Sequence, residues 1–203
     1  MLVPDSLWEG ALLDSAAIHS ALKLNATPPG IIGRPMKELS HKLFIDSVKY
    51  YFQPMLFMAK TRPDEICTPA PFKGPPTYQC KEGQRYTHGA HIFIFNEKFE
   101  PVGYHNIHIN QPWPFYCNAV VGVGSGDKKK NEALVTVQYF PVDGKAAKKM
   151  GDLGSGWRRM TVLLRVTVAN GKVGLEQDDR CLGNPNQIES IPDARKKLMK
   201  CGM

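Results

Sequence analysis

The chain has 203 residues, of which 42% are hydrophobic and 22% are charged, and a chain of this size buries one sizeable core. Its 18 glycines and 16 prolines follow no fixed period, which excludes a fibrous repeat, and its hydrophobic fraction excludes intrinsic disorder. Lys and Arg outnumber Asp and Glu by 26 to 19, giving a net charge of +7, and no apolar run approaches the roughly 18 to 20 residues that cross a bilayer.

We expect one domain over residues 1–203, with four parts in chain order. These parts are a helical segment over 1–55, a Pro/Gly-rich connection over 56–86, an antiparallel sheet over 87–180, and a C-terminal tail with a short helix over 181–203. The N-terminal sequence MLVPDSLWEG has no basic segment followed by an apolar stretch, so it does not predict a signal peptide.

Two helices are predicted in the N-terminal part. Ser6 and Glu9 have the spacing of a capping box, and apolar residues then recur at helical spacing, which predicts a helix over 6–24. A second helix is expected to begin near Pro35 and to end before Pro54. Its polar positions fall in a narrow arc and its apolar positions cover most of the rest, which predicts a mostly buried helix.

The five cysteines bear on the compartment. Cys67 and Cys80 flank the segment CTPAPFKGPPTYQC, where a bridge would add about 3 kcal/mol of stability that packing cannot supply. Cys181 and Cys201 form a second predicted disulfide, and Cys117 is left as a small buried hydrophobe. This pairing favours a periplasmic or secreted protein; the alternative is a cytoplasmic protein with five reduced thiols. The sequence contains no C-x2-C pair, so a zinc site built on cysteines is not predicted.

From about residue 90, β-branched and aromatic runs alternate with turn residues, which predicts five or six antiparallel strands. The clearest hairpin is VTVANGKVGL, because Asn170 and Gly171 suit a type I′ turn. A short helix is expected after SIPD, through ARKKLMK. We therefore predict an α+β fold in which the two N-terminal helices pack on a curved meander. This arrangement resembles the general architecture of cystatin-like and nuclear-transport-factor-like proteins, and such folds do not determine function.

The segment THGAHIFIFNEKFEPVGYHNIH contains four histidines on a predicted hairpin. With a three-residue turn over 97–99, His91 lies opposite His105 and His88 lies opposite His108. Strand alternation then places the two pairs on opposite faces. In that register the four imidazoles cannot all bind one ion.

His91 and His105 are the candidate metal ligands, because two opposed imidazoles could hold a divalent cation together with a third ligand. The alternative is a pair of half-exposed cross-strand partners with Tyr104 and Asn106 as neighbours. The same two imidazoles would repel each other once both were protonated near pH 6.5, which makes a low-pH switch a third interpretation.

Basic residues cluster in the C-terminal half, where a positive surface could attract nucleic acid, anionic lipid or an acidic protein. The alternative is ordinary loop solvation. Trp113, held between two prolines, belongs to an edge or loop, where it caps the core or anchors a partner. The predicted partner-binding residues are Trp113, Lys128, Lys129, Lys130, Lys148, Lys149, Arg158 and Arg159.

Motifs for covalent catalysis are missing: the sequence has no G-x-S-x-G, and GVGSG at 122–126 is interpreted as a flexible hairpin turn. We therefore expect a non-enzymatic, extracytoplasmic binding or assembly module with a protein partner and no cofactor, acting through its sheet face and basic C-terminal loops. One alternative is a metal-binding protein or metal-dependent enzyme that uses His91 and His105. Another is a binder of nucleic acid or anionic surfaces through the C-terminal lysines.

Overall fold

The computed structural model is mostly β. It describes residues 2–4, 32–59, 67–69, 78–80, 87–110, 116–127, 131–140 and 158–202. These residues form a ten-stranded sheet, a separate two-stranded sheet and one α-helix near the C-terminus.

The elements are named in chain order. The first strands are β1 (Leu2–Pro4), β2 (Ile32–Pro35), β3 (His41–Ile45), β4 (Val48–Ala59), β5 (Cys67–Pro69) and β6 (Tyr78–Cys80), with a 3-10 turn at Lys37–Leu39. The later strands are β7 (Thr87–Phe95), β8 (Pro101–Ile107), β9 (Tyr116–Ser125), β10 (Glu132–Phe140), β11 (Arg158–Ala169) and β12 (Lys172–Gln177). The helix, α1, spans Ile191–Lys200.

The large sheet runs in the order β1-β3-β4-β7-β9-β10-β11-β12, and β2 also pairs with β4 while β8 pairs with β7. Its described strand pairs are antiparallel, except for a short parallel contact between β7 and β9. The sheet curls so that β12 lies against β8. Gly103 allows this approach, since a Cβ at that position would lie 2.6 Å from the carbonyl oxygen of Val173.

The concave face of the curled sheet holds the main core. Alternate residues of each strand point into it, and the largest contributions come from aliphatic and aromatic side chains that are almost fully buried. They include Leu43, Ile45, Phe52, Ile92, Ile94, Ile107, Val135, Val137, Val162, Leu164 and Val173. A second buried cluster lies on the other face of β4 and β7 and contains Tyr51, Met55, Phe93 and Phe95.

The predicted α+β fold is wrong. Residues 35–53, expected as the second helix, instead form the end of β2, a 3-10 turn, β3 and the first half of β4. Asp46 and Ser47 make the hairpin turn, with φ angles of 48° and 67°. The first predicted helix, over 6–24, lies outside the described residues. Because residues 35–53 form strands, the predicted packing of two N-terminal helices on the sheet is overturned, and with it the resemblance to cystatin-like and nuclear-transport-factor-like architecture.

The error has a physical cause, which is burial of β4 on both of its faces. Residues 50–55 are all buried, with Phe52 in the main core and Tyr51 and Met55 in the second cluster. A strand of this kind has no polar alternation to reveal it, so its apolar run looks like a buried helix. Gln53, one of the polar positions of the predicted helix, is fully buried and accepts a hydrogen bond from the hydroxyl of Ser40.

Three local predictions are confirmed. Asn170 and Gly171 have φ angles of 52° and 73° and close the β11–β12 hairpin. The helix through ARKKLMK is α1, whose N-cap residue Ser190 accepts a hydrogen bond from the backbone N–H of Asp193. Cys181 and Cys201 are joined by a disulfide.

The β7–β8 hairpin departs from the predicted register because of a β-bulge. Phe95 pairs with Pro101, as the predicted turn requires, but Ile94 pairs with Gly103, which leaves Val102 as an extra residue. Each pairing beyond the bulge is shifted by one position. His91 therefore lies opposite Asn106, and the predicted pairing of His91 with His105 is wrong.

The predicted pairing of His88 with His108 is also wrong, because the backbone of His88 pairs with Met58 and Tyr116. The interpretation of GVGSG as a hairpin turn needs correction as well. Residues 122–125 belong to strand β9, and only Gly126 lies in the turn that follows it.

Candidate functional site

The C-terminal segment 178–202 lies on the convex side of β9, β10 and β11, and the helix α1 is its main element. Ala194 and Leu198 bury one side of α1 against Leu134, Leu163 and Leu182. A glycine in β9, Gly124, leaves the space that the helix occupies. A Cβ at Gly124 would lie 3.0 Å from the Cγ2 of Ile191 and 3.3 Å from the guanidinium of Arg195.

Polar contacts fix the same segment at several points. Arg195 donates from Nε to the carbonyl oxygen of Ser125 at 2.9 Å, which ties α1 to the end of β9. Asn186 donates to the carbonyl oxygen of Thr161 at 2.9 Å, and the Thr161 hydroxyl donates to the carbonyl oxygen of Ile188 at 2.9 Å. The disulfide of Cys201 closes the far end of the helix. The segment is therefore held along its length.

A buried carboxylate anchors the start of the segment. Asp178, whose side chain is 4% exposed, accepts hydrogen bonds from Arg165 at 2.7 Å and from Arg180 at 2.6 Å. The Arg180 guanidinium, and next the Arg165 guanidinium, hold the pKa of Asp178 well below its usual range. Arg165 also lies 3.5 Å from the buried carboxylate of Glu132. This network joins β10, β11 and the C-terminal segment.

The described part of the predicted basic surface is exposed. Arg158 and Arg159 begin β11 and are exposed, and four basic residues of α1 are also exposed. Those helix residues are Arg195, Lys196, Lys197 and Lys200. The other predicted partner-binding residues lie outside the described residues: Trp113, Lys128, Lys129, Lys130, Lys148 and Lys149.

His91 lies on the face of β7 that carries the second cluster. Its Nδ1 is 2.6 Å from the hydroxyl of Tyr104, and the two rings are stacked with centroids 5.6 Å apart. Burial, followed by the nearby charge of His105, lowers the pKa of His91 to about 4. The imidazole of His91 is therefore neutral at pH 7.

His105 lies on the opposite face, at the junction of β8 and β12. Its Nε2 is 3.5 Å from Oε1 of Gln177. Burial lowers the pKa of His105 below its usual value, and the hydrogen bond to Gln177 opposes that shift. His108, three residues further along the chain and just beyond the end of β8, has its Nε2 3.3 Å from the carboxylate of Asp179.

Gln177 closes the junction in a way that sequence reasoning missed. Its side-chain amide accepts a hydrogen bond from the backbone N–H of His108 at 3.2 Å and donates to the same residue's carbonyl oxygen at 3.0 Å. Asn184 also donates to that carbonyl oxygen at 3.0 Å. Gln177 and Asn184 lie 69 and 76 positions after His108 in the chain, so no local sequence pattern identifies these contacts.

A metal bound jointly by His91 and His105 has no support in this geometry, because the two side chains project from opposite faces of the β7–β8 ribbon. Within the described residues, no group of three or more His, Cys, Asp and Glu side chains is placed to hold a metal ion. The polar side chains near His105 are hydrogen-bonded to one another and to the backbone of His108 instead.

Cys67 and Cys80 begin and end the two strands β5 and β6, and their backbones lie directly opposite each other in the register of that small sheet. The bond between them stays a prediction, as does burial of the Cys117 side chain. Among the described residues, no helix is both long and apolar enough to cross a membrane.

Comparison with known proteins found no match to this chain. No protein-family model matches the chain, and neither does any curated protein or solved structure.

Proposed function

We propose that this chain is a non-enzymatic binding or assembly module of a periplasmic or secreted compartment, and that it contacts a protein partner with the convex side of its sheet. The observation that supports this most is the fixation of the segment 178–202. Packing, hydrogen bonds and the Cys181–Cys201 disulfide hold it in place while its basic side chains stay exposed. A surface that is ordered before binding loses little conformational entropy when a partner binds.

The compartment is inferred from the disulfide, since such bonds persist where thiols are not kept reduced. The test is a thiol titration of denatured, unreduced protein recovered from its native source. If Cys181–Cys201 is the sole disulfide, three of the five cysteines should titrate. If Cys67 and Cys80 are also bonded, one should titrate. Five titratable thiols would contradict an oxidising compartment.

The partner class is inferred from charge, because an exposed basic surface on a chain of net charge +7 attracts acidic partners. Binding of the wild-type protein is to be compared at one salt concentration for poly-L-glutamate, duplex DNA and vesicles containing phosphatidylserine. We expect the tightest binding to poly-L-glutamate, with an affinity that falls as salt is raised. Tighter binding to DNA or to vesicles would contradict a protein partner.

A further inference from the structure

The outward side of α1 is a compact basic surface, which we call the α1 surface: Arg195, Lys196, Lys197, Met199 and Lys200. All five side chains are exposed, whereas Ala194 and Leu198 face the sheet. Asp193 is the single acidic residue of the helix, and it already pairs with Lys196 at 3.3 Å. The helix therefore presents a clear excess of positive charge.

Met199 adds an apolar group to this charge. It is 70% exposed, more than any other exposed large hydrophobic side chain in the described parts of the chain. In a helix, residues three and four positions apart are neighbours, so Met199 lies beside Lys196 and Arg195. An apolar centre with a polar rim is the usual composition of a protein-binding surface.

The α1 surface is held rigidly. Ser190 caps the N-terminus of the helix, Arg195 is hydrogen-bonded to Ser125, and Cys201 is bonded to Cys181 just beyond the last turn. The apolar side of the helix is already used against Leu134 and Leu163. Helices that bind lipid insert such a side into the membrane, and α1 has none left to insert.

We infer that the α1 surface binds an acidic, amphipathic segment of a partner protein, with Met199 as its apolar anchor and the flanking lysines pairing with carboxylates. This inference rests on the proposed function and names the part of the surface and the chemistry of the partner. In duplex DNA the apolar groups, such as the thymine methyl, lie in the groove and not beside the backbone phosphates, whereas an amphipathic protein segment places aliphatic and carboxylate side chains next to each other.

The test uses the full chain and two fluorescent acidic peptides of equal charge, one made of Glu and Gly and the other of Glu, Gly and Leu. We expect the leucine-containing peptide to bind more tightly to the wild-type protein. The double variant Lys196→Gln, Lys200→Gln should weaken binding of both peptides about tenfold. Met199→Ala should weaken only the leucine-containing peptide, about fivefold.

The matched control removes the same charge elsewhere. Lys98→Gln with Lys172→Gln changes two exposed lysines, one in the β7–β8 turn and one at the start of β12, and it should leave both affinities within about twofold of wild type. Equal loss in the two double variants would overturn the inference while leaving the proposed function standing. If the wild-type protein bound neither peptide, both would fail. The inference would also be overturned if the Lys196→Gln, Lys200→Gln variant bound duplex DNA or phosphatidylserine vesicles more weakly than wild type but bound both peptides equally well.

Discussion

His91 shows how the surroundings of one side chain determine its charge. The ring stacks on Tyr104 and contacts its hydroxyl through Nδ1, on a face of β7 that also carries Phe93 and Phe95. Burial there lowers the pKa of His91 to about 4 from an ordinary value of 6.5. The unfolded chain therefore binds a proton more readily than the folded chain between these two pH values.

This difference predicts a loss of stability in acid. Because the folded pKa is lowered, the contribution of His91 is fully present above pH 6.5 and is lost as the pH falls towards 4. Between pH 7.5 and pH 5 the loss should be about 2 kcal/mol. Urea unfolding of His91→Gln, which keeps a polar partner for Tyr104 but does not titrate, should show a correspondingly smaller change with pH. An identical pH dependence in the variant would contradict the role given to His91.

The burial of Asp178 predicts that the two partners of the Asp178–Arg180 ion pair contribute very differently to stability. Asp178→Asn leaves two guanidinium groups without their buried carboxylate and should lower the free energy of unfolding by about 2 to 3 kcal/mol. Arg180→Ala should lower it clearly less, because the Arg180 side chain is 78% exposed and solvent screens its charge. Urea unfolding measures both values, and equal losses would show that the carboxylate is not the centre of the network.

At the scale of elements, the sequence predicts those whose signal is local. The Asn170-Gly171 turn and the capped helix α1 depend on residues next to one another, and both are confirmed. The strands β3 and β4 escaped prediction because β4 is buried on both faces by residues distant in the chain. Local signals also predicted basic residues that are exposed, such as Arg158 and Arg159. The amide of Gln177 has no such signal, since its partners come from another hairpin.

The space at the glycines of β9 determines how closely α1 can pack against that strand. Gly124→Ala would place a methyl group 3.0 Å from the Ile191 side chain and should lower stability by about 1 to 3 kcal/mol. The matched control is Gly122→Ala, whose Cβ would meet Ile191 and Thr136 at 3.7 Å, an ordinary contact. Thermal unfolding of the two variants should separate them clearly. Gly124→Ala should cost less in an Ile191→Ala background than in the wild-type protein, and an equal cost in both backgrounds would contradict the steric explanation.

At the scale of the whole molecule, the junction of β8 and β12 joins two distant parts of the sheet. A Cβ at Gly103 would clash with the carbonyl oxygen of Val173, and the Gln177 amide takes the place of a strand partner for His108. The concave core includes Ile107 from one side of this junction and Val173 from the other. The curl of the sheet therefore depends on contacts that are neither strand pairing nor local turns.

Weakening this junction should loosen both of its strands together. Gln177→Ala removes both hydrogen bonds to the His108 backbone and should cost about 1 to 3 kcal/mol, because the partner groups lose their bonds. Hydrogen exchange is the discriminating measurement, since amides of β8 and β12 should exchange faster in the variant while those of the β3–β4 hairpin keep their wild-type rates. If exchange rose equally in β3 and β4, the junction would be only one contact among many. If it rose in β12 alone, β8 would be held by its pairing with β7, and the curl would not depend on Gln177.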